Sequence, residues 1–177
     1  MSRFSTYRIS SIGLFVAIII VLSQISIPMP YGVPMTLQTL IIPIVGIILG
    51  KKDGTIATGL YLILGLIGLP VFAGFSGSVM SFIGPTGGFL ISFPLMAYLA
   101  GMWSESGNKV FIGLILGSII NSVSGMLFFS LVTKSSLQVA FFACVAPFIL
   151  TSVIKVVLSG LLGIRLKKLV TYRVKSV

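Results

Sequence analysis

Charged residues in this chain fall into a few short clusters, separated by long stretches that carry no charge. Residues 9–50, between Arg8 and Lys51, form one such block, and residues 54–104, between Asp53 and Glu105, form another. A helix needs about 20 apolar residues to cross the hydrocarbon core of a bilayer. Each block therefore predicts two crossings joined by an uncharged turn on the far side. Pro28, Pro30, Gly32 and Pro34 punctuate the first block, and Pro70, Gly74, Gly77, Gly84, Pro85, Gly87 and Gly88 the second. Downstream, residues 110–133 are free of charge, and 137–164 are interrupted only by Lys155. The pattern predicts an all-α bundle of six transmembrane helices in a single membrane domain, 1–177. Its spans run over about 9–27, 35–50, 54–70, 86–103, 110–132 and 137–164.

An even number of spans puts both termini on one side. On that side fall Arg3, Arg8, Lys51, Lys52, Lys109, Arg165, Lys167, Lys168, Arg173 and Lys175, whereas Lys134 alone falls at an outer turn. Such a bias marks the cytoplasmic face. The first apolar run is longer than a signal-peptide core and lacks a small-x-small cleavage site, so it reads as a retained span.

Composition agrees: 56% of the 177 residues are hydrophobic, 8% are charged, and the mean hydropathy is +1.20. Soluble domains carry about 25% charged residues. The chain has no His, one Cys and two carboxylates. Zinc sites and nucleophile–histidine catalysis therefore lack their parts, and no cofactor is implied. No P-loop motif occurs, so ATP is not bound by that route. The net charge of +10 is explained by membrane topology rather than by nucleic acid.

Lys155 lies ten positions before Arg165, about 15 Å along a helix from the inner boundary. An intramembrane lysine costs about 2.5–3.5 kcal/mol on insertion scales. Neither Asp53 nor Glu105, read as solvated charges of inner loops, is expected to reach it. The lysine therefore reads either as a cation awaiting an anionic ligand or as one turned into backbone carbonyls. The absence of intramembrane carboxylates disfavours an independent ion-driven pump.

The second outer connection, Leu69–Phe89, reads LPVFAGFSGSVMSFIGPTGGF. Glycines that let a ligand approach the main chain, with Phe72, Phe75 and Phe82 among Ser76, Ser78, Ser81 and Thr86, suit a lid over a small amphipathic ligand. In the fifth span Ser118, Asn121, Ser122 and Gly125 recur at helical spacing, a polar stripe that serves neighbouring helices or a ligand. Small residues four apart, Gly46/Gly50, Ala97/Gly101 and Gly113/Gly117, predict close helix packing. Gly13/Ala17 instead suits an outward docking face.

The run Ile27–Pro34 leading into Met35-Thr36-Leu37-Gln38-Thr39, then Gly68-Leu69-Pro70-Val71-Phe72 and Gly84-Pro85-Thr86-Gly87-Gly88, resembles the BioY family. These are the biotin-binding S components of energy-coupling factor (ECF) transporters. The resemblance implies a multi-pass protein of the bacterial cell membrane, not an enzyme, that captures biotin at the outer face. It also implies as partners a transmembrane coupling protein, met at Gly13 and Ala17, and two cytoplasmic ATPase subunits. Pro147 to Lys155 is similar to the family's PFxxGDxxK, with Ser152 at the Asp position. The candidate substrate-binding residues are Thr36, Gln38, Phe72, Phe75, Ser76, Thr86, Gly87, Asn121, Ser152 and Lys155. Two other readings stand beside this one: an S component for another carboxylated vitamin such as lipoate, and a membrane assembly protein without a ligand.

Overall fold

A glycine decides how the second and third predicted spans are joined. The segment α2 (Gln38–Leu66) is two helical limbs joined at Gly50, which takes φ 79° and ψ 170°, a conformation open to glycine and not to residues with a Cβ. The chain reverses there. Residues 46 and 54 would lie about 12 Å apart on one straight helix, yet a Cβ built on Gly54 would stand 2.7 Å from the Gly46 Cα. Gln38 likewise reaches Tyr61 across the hairpin. The predicted spans 35–50 and 54–70 are thus two antiparallel limbs, with Lys51, Lys52 and Asp53 just beyond the bend.

The computed structural model describes residues 6–175, with side chains described as far as Val170. Before the hairpin come α1 (Thr6–Ser23) and a short antiparallel ribbon, β1 (Ser26–Ile27) paired with β2 (Met35–Thr36). After it come α3 (Val79–Ile83), α4 (Gly87–Met102), α5 (Val110–Thr133), α6 (Leu137–Cys144) and α7 (Ile149–Lys175). With the two limbs of α2 counted separately, α1, α4, α5 and α7 complete six principal helical segments. Three stretches are long and apolar enough to cross a membrane, Thr6–Ser23, Gly107–Thr133 and Leu137–Val170, and α4 is a shorter apolar helix.

Several predicted boundaries move. Residues 26–27 and 35–36 pair as strands, so the first span ends earlier and the second begins later than expected. The connection after α2 contains its own helix, α3. The span expected over 137–164 is broken at Val145, with a single 3-10 turn over Ala146–Phe148. Pro147 explains the break: it has no N–H to continue a helix and a fixed φ that suits starting one. Lys155 consequently lies in the second turn of α7.

Small residues bring the helices together. A Cβ on Gly46 would fall 2.2 Å from the Ala97 carbonyl oxygen. One on Gly101 would meet the Lys51 nitrogen at 2.5 Å, and one on Gly113 the Leu99 oxygen at 2.2 Å. The interior around them is aliphatic and aromatic, with Ile42, Val45, Tyr61 and Phe93 buried.

Asp53 departs from the expectation of a solvated inner charge, because it is partly buried and ties α2 to α1. Glu105 stays exposed as expected, its side chain 85% accessible in the turn between α4 and α5. Arg8 Nε of α1 donates to both Asp53 oxygens, at 2.9 and 2.8 Å. Lys167 of α7 donates to Glu105 and, at 2.8 Å, to Ser104 Oγ. Of the inner bases named above, Arg3 lies outside the described residues, as do the side chains of Arg173 and Lys175. Partly exposed ion pairs contribute about 0–1 kcal/mol. Asp53→Asn should therefore lower the thermal midpoint of the purified protein by only a few degrees, and by less in high salt.

Candidate functional site

The N-terminal end of α2 builds one wall of a cavity. Thr36 ends β2, and its hydroxyl donates to Gln38 Oε1 at 2.9 Å, while Gln38 Nε2 donates to the Tyr61 hydroxyl at 2.6 Å. Both partners are hydroxyls, which donate or accept, and with the amide in this orientation its nitrogen faces Tyr61. An amide nitrogen carries two hydrogens, so Gln38 keeps one N–H beyond Tyr61. Thr36 and Gln38 both border a cavity of about 280 Å³, the size of a small-molecule site.

Lys155 reaches this wall from α7. Its Nζ donates to the Thr36 carbonyl at 2.7 Å and to Thr39 Oγ1 at 2.9 Å. Both partners are neutral. Asp53 and Glu105, the chain's two carboxylates, are engaged by Arg8 and Lys167 at the other end of α2, α4 and α7. Among the described residues the Lys155 charge thus has no counter-ion. An ammonium has three donors, two of which are used. The lysine is steadied by a carbonyl and a hydroxyl, and it also borders the cavity.

Opposite lies the polar stripe of α5. Asn121, 3% exposed, donates from Nδ2 to the Phe89 carbonyl at 3.1 Å and to Ser92 Oγ at 2.7 Å. A carbonyl can only accept, so the nitrogen must face α4, and both its hydrogens are spent there. Oδ1 accepts no bond in the structure, yet no buried side-chain nitrogen or oxygen among the described residues lacks a partner. Oδ1 is therefore accessible, and the residue borders the cavity. Asn121 joins helices and presents an acceptor at once.

The roof comes from the 69–86 connection. Phe72 packs edge-on against Tyr61 and Phe82, with ring centroids 5.3 and 5.7 Å apart. It leaves no room for a side chain at Gly65. Phe72, Ser76 and Thr86 border the cavity, as Ser152 does from α7.

Eight of the ten candidates, Thr36, Gln38, Phe72, Ser76, Thr86, Asn121, Ser152 and Lys155, are thus brought around one space. Phe75 and Gly87 are placed elsewhere. Phe75 has φ 55° and is 72% exposed on the outside of its loop, while Gly87 packs under the Phe82 carbonyl and the Phe128 ring. The wall also includes Thr39, Phe89, Phe93, Cys144 and Phe148, none of them in the predicted set. Thr39 and Phe89 end the two quoted motifs and were legible there. Nothing local distinguished Phe93 or Cys144.

Fold and cavity together define an all-helical protein with helices apolar enough to cross a membrane and a cavity lined by aromatic rings, hydroxyls, amides and a lysine. The family model described as "BioY family" matches residues 1–172, and the chain belongs to that family. It is 37% identical over 163 residues to the biotin transporter BioY of Thermotoga maritima, covering 89% of this chain and 94% of that one. It is 34% identical to the probable biotin transporter BioY of Pyrococcus horikoshii, covering 90% and 96%. Among solved structures it is similar to the S-component for biotin from an ECF-type ABC transporter. The TM-score there is 0.86 at 30% identity, covering 95% of this chain and 94% of that one.

Proposed function

We propose that this protein captures biotin at the outer face of the cell membrane, as the substrate-binding S component of an ECF transporter. The observation that carries this reading is the Lys155 ammonium, which borders the cavity without a carboxylate partner. A ligand carboxylate supplies the missing charge. At the opposite wall, Asn121 Oδ1 accepts an N–H from the ureido ring, and the Gln38 N–H donates to a ligand acceptor. Phe72, Phe89 and Phe93 enclose the apolar body. Lipoate has the carboxylate but no N–H for Asn121, so the acceptor favours biotin. The names of the relatives point the same way, and neither lipoate nor a ligand-free assembly role is favoured.

In this reading both termini face the cytoplasm, where Lys51, Lys52, Lys109 and Arg165 gather, and the 69–86 connection closes the outer side. Gly13 and Ala17 are exposed on α1, and a Cβ on Gly13 would meet nothing within 4 Å. This face is open to a transmembrane coupling protein, through which two ATPase subunits supply the energy.

Mass spectrometry of ligand released from the purified protein, followed by displacement with biotin and lipoate, tests the reading. Biotin should be recovered, and it should displace label at far lower concentration than lipoate. Equal displacement, or no ligand bound by the pure protein, would overturn it. Asn121→Ala should weaken biotin binding at least about tenfold, since an N–H left unsatisfied in a buried site costs about 1–3 kcal/mol. Isothermal titration of wild type and variant checks this.

A further inference from the structure

Gln24, the first residue past α1, is the side chain through which that helix grips the cavity roof. Its Nε2 donates to the Ile20 carbonyl of its own helix at 3.1 Å and to the Val71 carbonyl at 3.1 Å. Its Oε1 accepts the Phe75 N–H at 2.9 Å. One amide thus spans both arms of the loop around Phe72, and the direction of each bond follows from chemistry, because a backbone carbonyl only accepts and a backbone N–H only donates.

The loop held in this way is a compact unit. Its neck is closed where Gly77 passes Leu69 so tightly that a Cβ would fall 1.8 Å from the Leu69 carbonyl oxygen. Phe72 N–H donates to the Ser76 carbonyl at 2.8 Å, and Ser76 Oγ donates to the Ala73 carbonyl at 2.9 Å. Gly74 and Phe75 both take positive φ, 69° and 55°. The Phe75 conformation is unfavourable for a residue with a Cβ, so an outside bond is needed to hold it. Three attachments join this unit to the helices: the Phe72 ring among Tyr61, Gly65 and Phe82, the Val71 side chain buried in the core, and the Gln24 amide. Phe72 and Ser76, between the two arms, border the cavity.

We propose that Gln24 is a positioning residue that latches the roof closed and thereby sets how long a bound ligand is retained. The proposal rests on the cavity being the ligand site argued above. Loss of the amide leaves the polar groups of the cavity walls in place, because none of its hydrogen-bond partners lines the cavity, but loosens both arms of the loop. Ligand release should therefore accelerate while the walls keep their polar groups.

The test uses Gln24→Met, of similar volume without hydrogen bonding, and Gln24→Asn, whose amide is one methylene too short to reach. Dissociation of labelled biotin is measured for each purified protein, together with its association rate and thermal midpoint. Cys144, the only cysteine and 1% exposed, borders the cavity, so its rate of alkylation by a small maleimide in ligand-free protein reports roof opening independently of biotin. Both variants should release biotin about tenfold faster or more, associate no slower, label faster at Cys144, and melt within a few degrees of wild type. Unchanged release and unchanged labelling, or slowed association with unchanged release, would overturn the latch. Should wild type bind no biotin, the functional reading fails, and Cys144 labelling alone decides whether Gln24 holds the roof. Should Gln24→Met not fold, Gln24→Asn carries the test.

Discussion

Lys155→Met should weaken biotin binding by two to three orders of magnitude. The substitution keeps most of the apolar stem and removes the only charge among the described residues that borders the cavity. Truncating one partner of a buried, hydrogen-bonded charge pair costs about 2–5 kcal/mol, and about 1.4 kcal/mol is tenfold in affinity. The Thr36 carbonyl and Thr39 hydroxyl also lose their donor, so the variant should melt somewhat lower as well. The two effects separate with a biotin analogue whose carboxylate is replaced by an amide. Wild type should lose most of its affinity for this analogue, whereas Lys155→Met should bind biotin and the amide about equally. Such a cycle isolates the pairwise interaction. Equal affinities of wild type and variant for biotin would remove the assignment of Lys155 to the carboxylate.

Gly46→Val should be the most damaging substitution outside the cavity. Its Cβ would lie 2.2 Å from the Ala97 carbonyl oxygen and 3.0 Å from the Ala97 Cα. The obstructing atoms are backbone, so no rotamer change relieves them. The two limbs of α2 and α4 meet at this point, where Gly54 and Gly101 also allow main chains to touch, and pushing one apart disturbs the others. Overpacking costs about 1–3 kcal/mol and occasionally more, and with two backbones involved the upper part of that range applies. Thermal unfolding followed by Trp103 fluorescence should show a large drop in midpoint, with poor recovery of monodisperse protein. Gly59→Ala is the contrast, because nothing lies within 4 Å of that Cβ and alanine favours a helix interior by up to about 1 kcal/mol. That protein should melt at or above the wild-type temperature. Equal midpoints for the two variants would show that the glycine crossing does not limit stability.

The helical segments were readable because the cost of placing a charge in hydrocarbon is large and local. Lys51, Lys52, Asp53 and Glu105 had to lie near helix ends wherever the helices packed. The pairing of Arg8 with Asp53, and of Lys167 with Glu105, was not readable, since it depends on which helix ends become neighbours. The break at Pro147 could have been drawn from its missing N–H, but the unbroken apolar run around it concealed the change of direction. The strand pairing of Ser26–Ile27 with Met35–Thr36 was hidden by segments too short to show alternation.

The candidate site divides in the same way. Gln38, Asn121 and Lys155 stood out as polar groups in apolar surroundings, where burial without a partner is costly, and all three border one cavity. Phe75 did not follow Phe72 because the positive φ values at Gly74 and Phe75 turn its ring outward, a consequence of loop closure at Leu69 and Gly77. Cys144 and Phe93 entered the wall through the way their helices are rotated.

By itself, then, the order of residues determined that this is a helical membrane protein with one cation held away from its few acids, because solvation penalties act residue by residue. The BioY likeness was equally legible, since it resides in short contiguous motifs. Only the tertiary structure decided that Lys155 leans on Thr36 and Thr39, that Asn121 turns its nitrogen to α4, and that Gln24 grips both arms of the roof. Those arrangements arise from hydrogen-bond direction and helix rotation among segments far apart in the chain, and no local pattern encodes them.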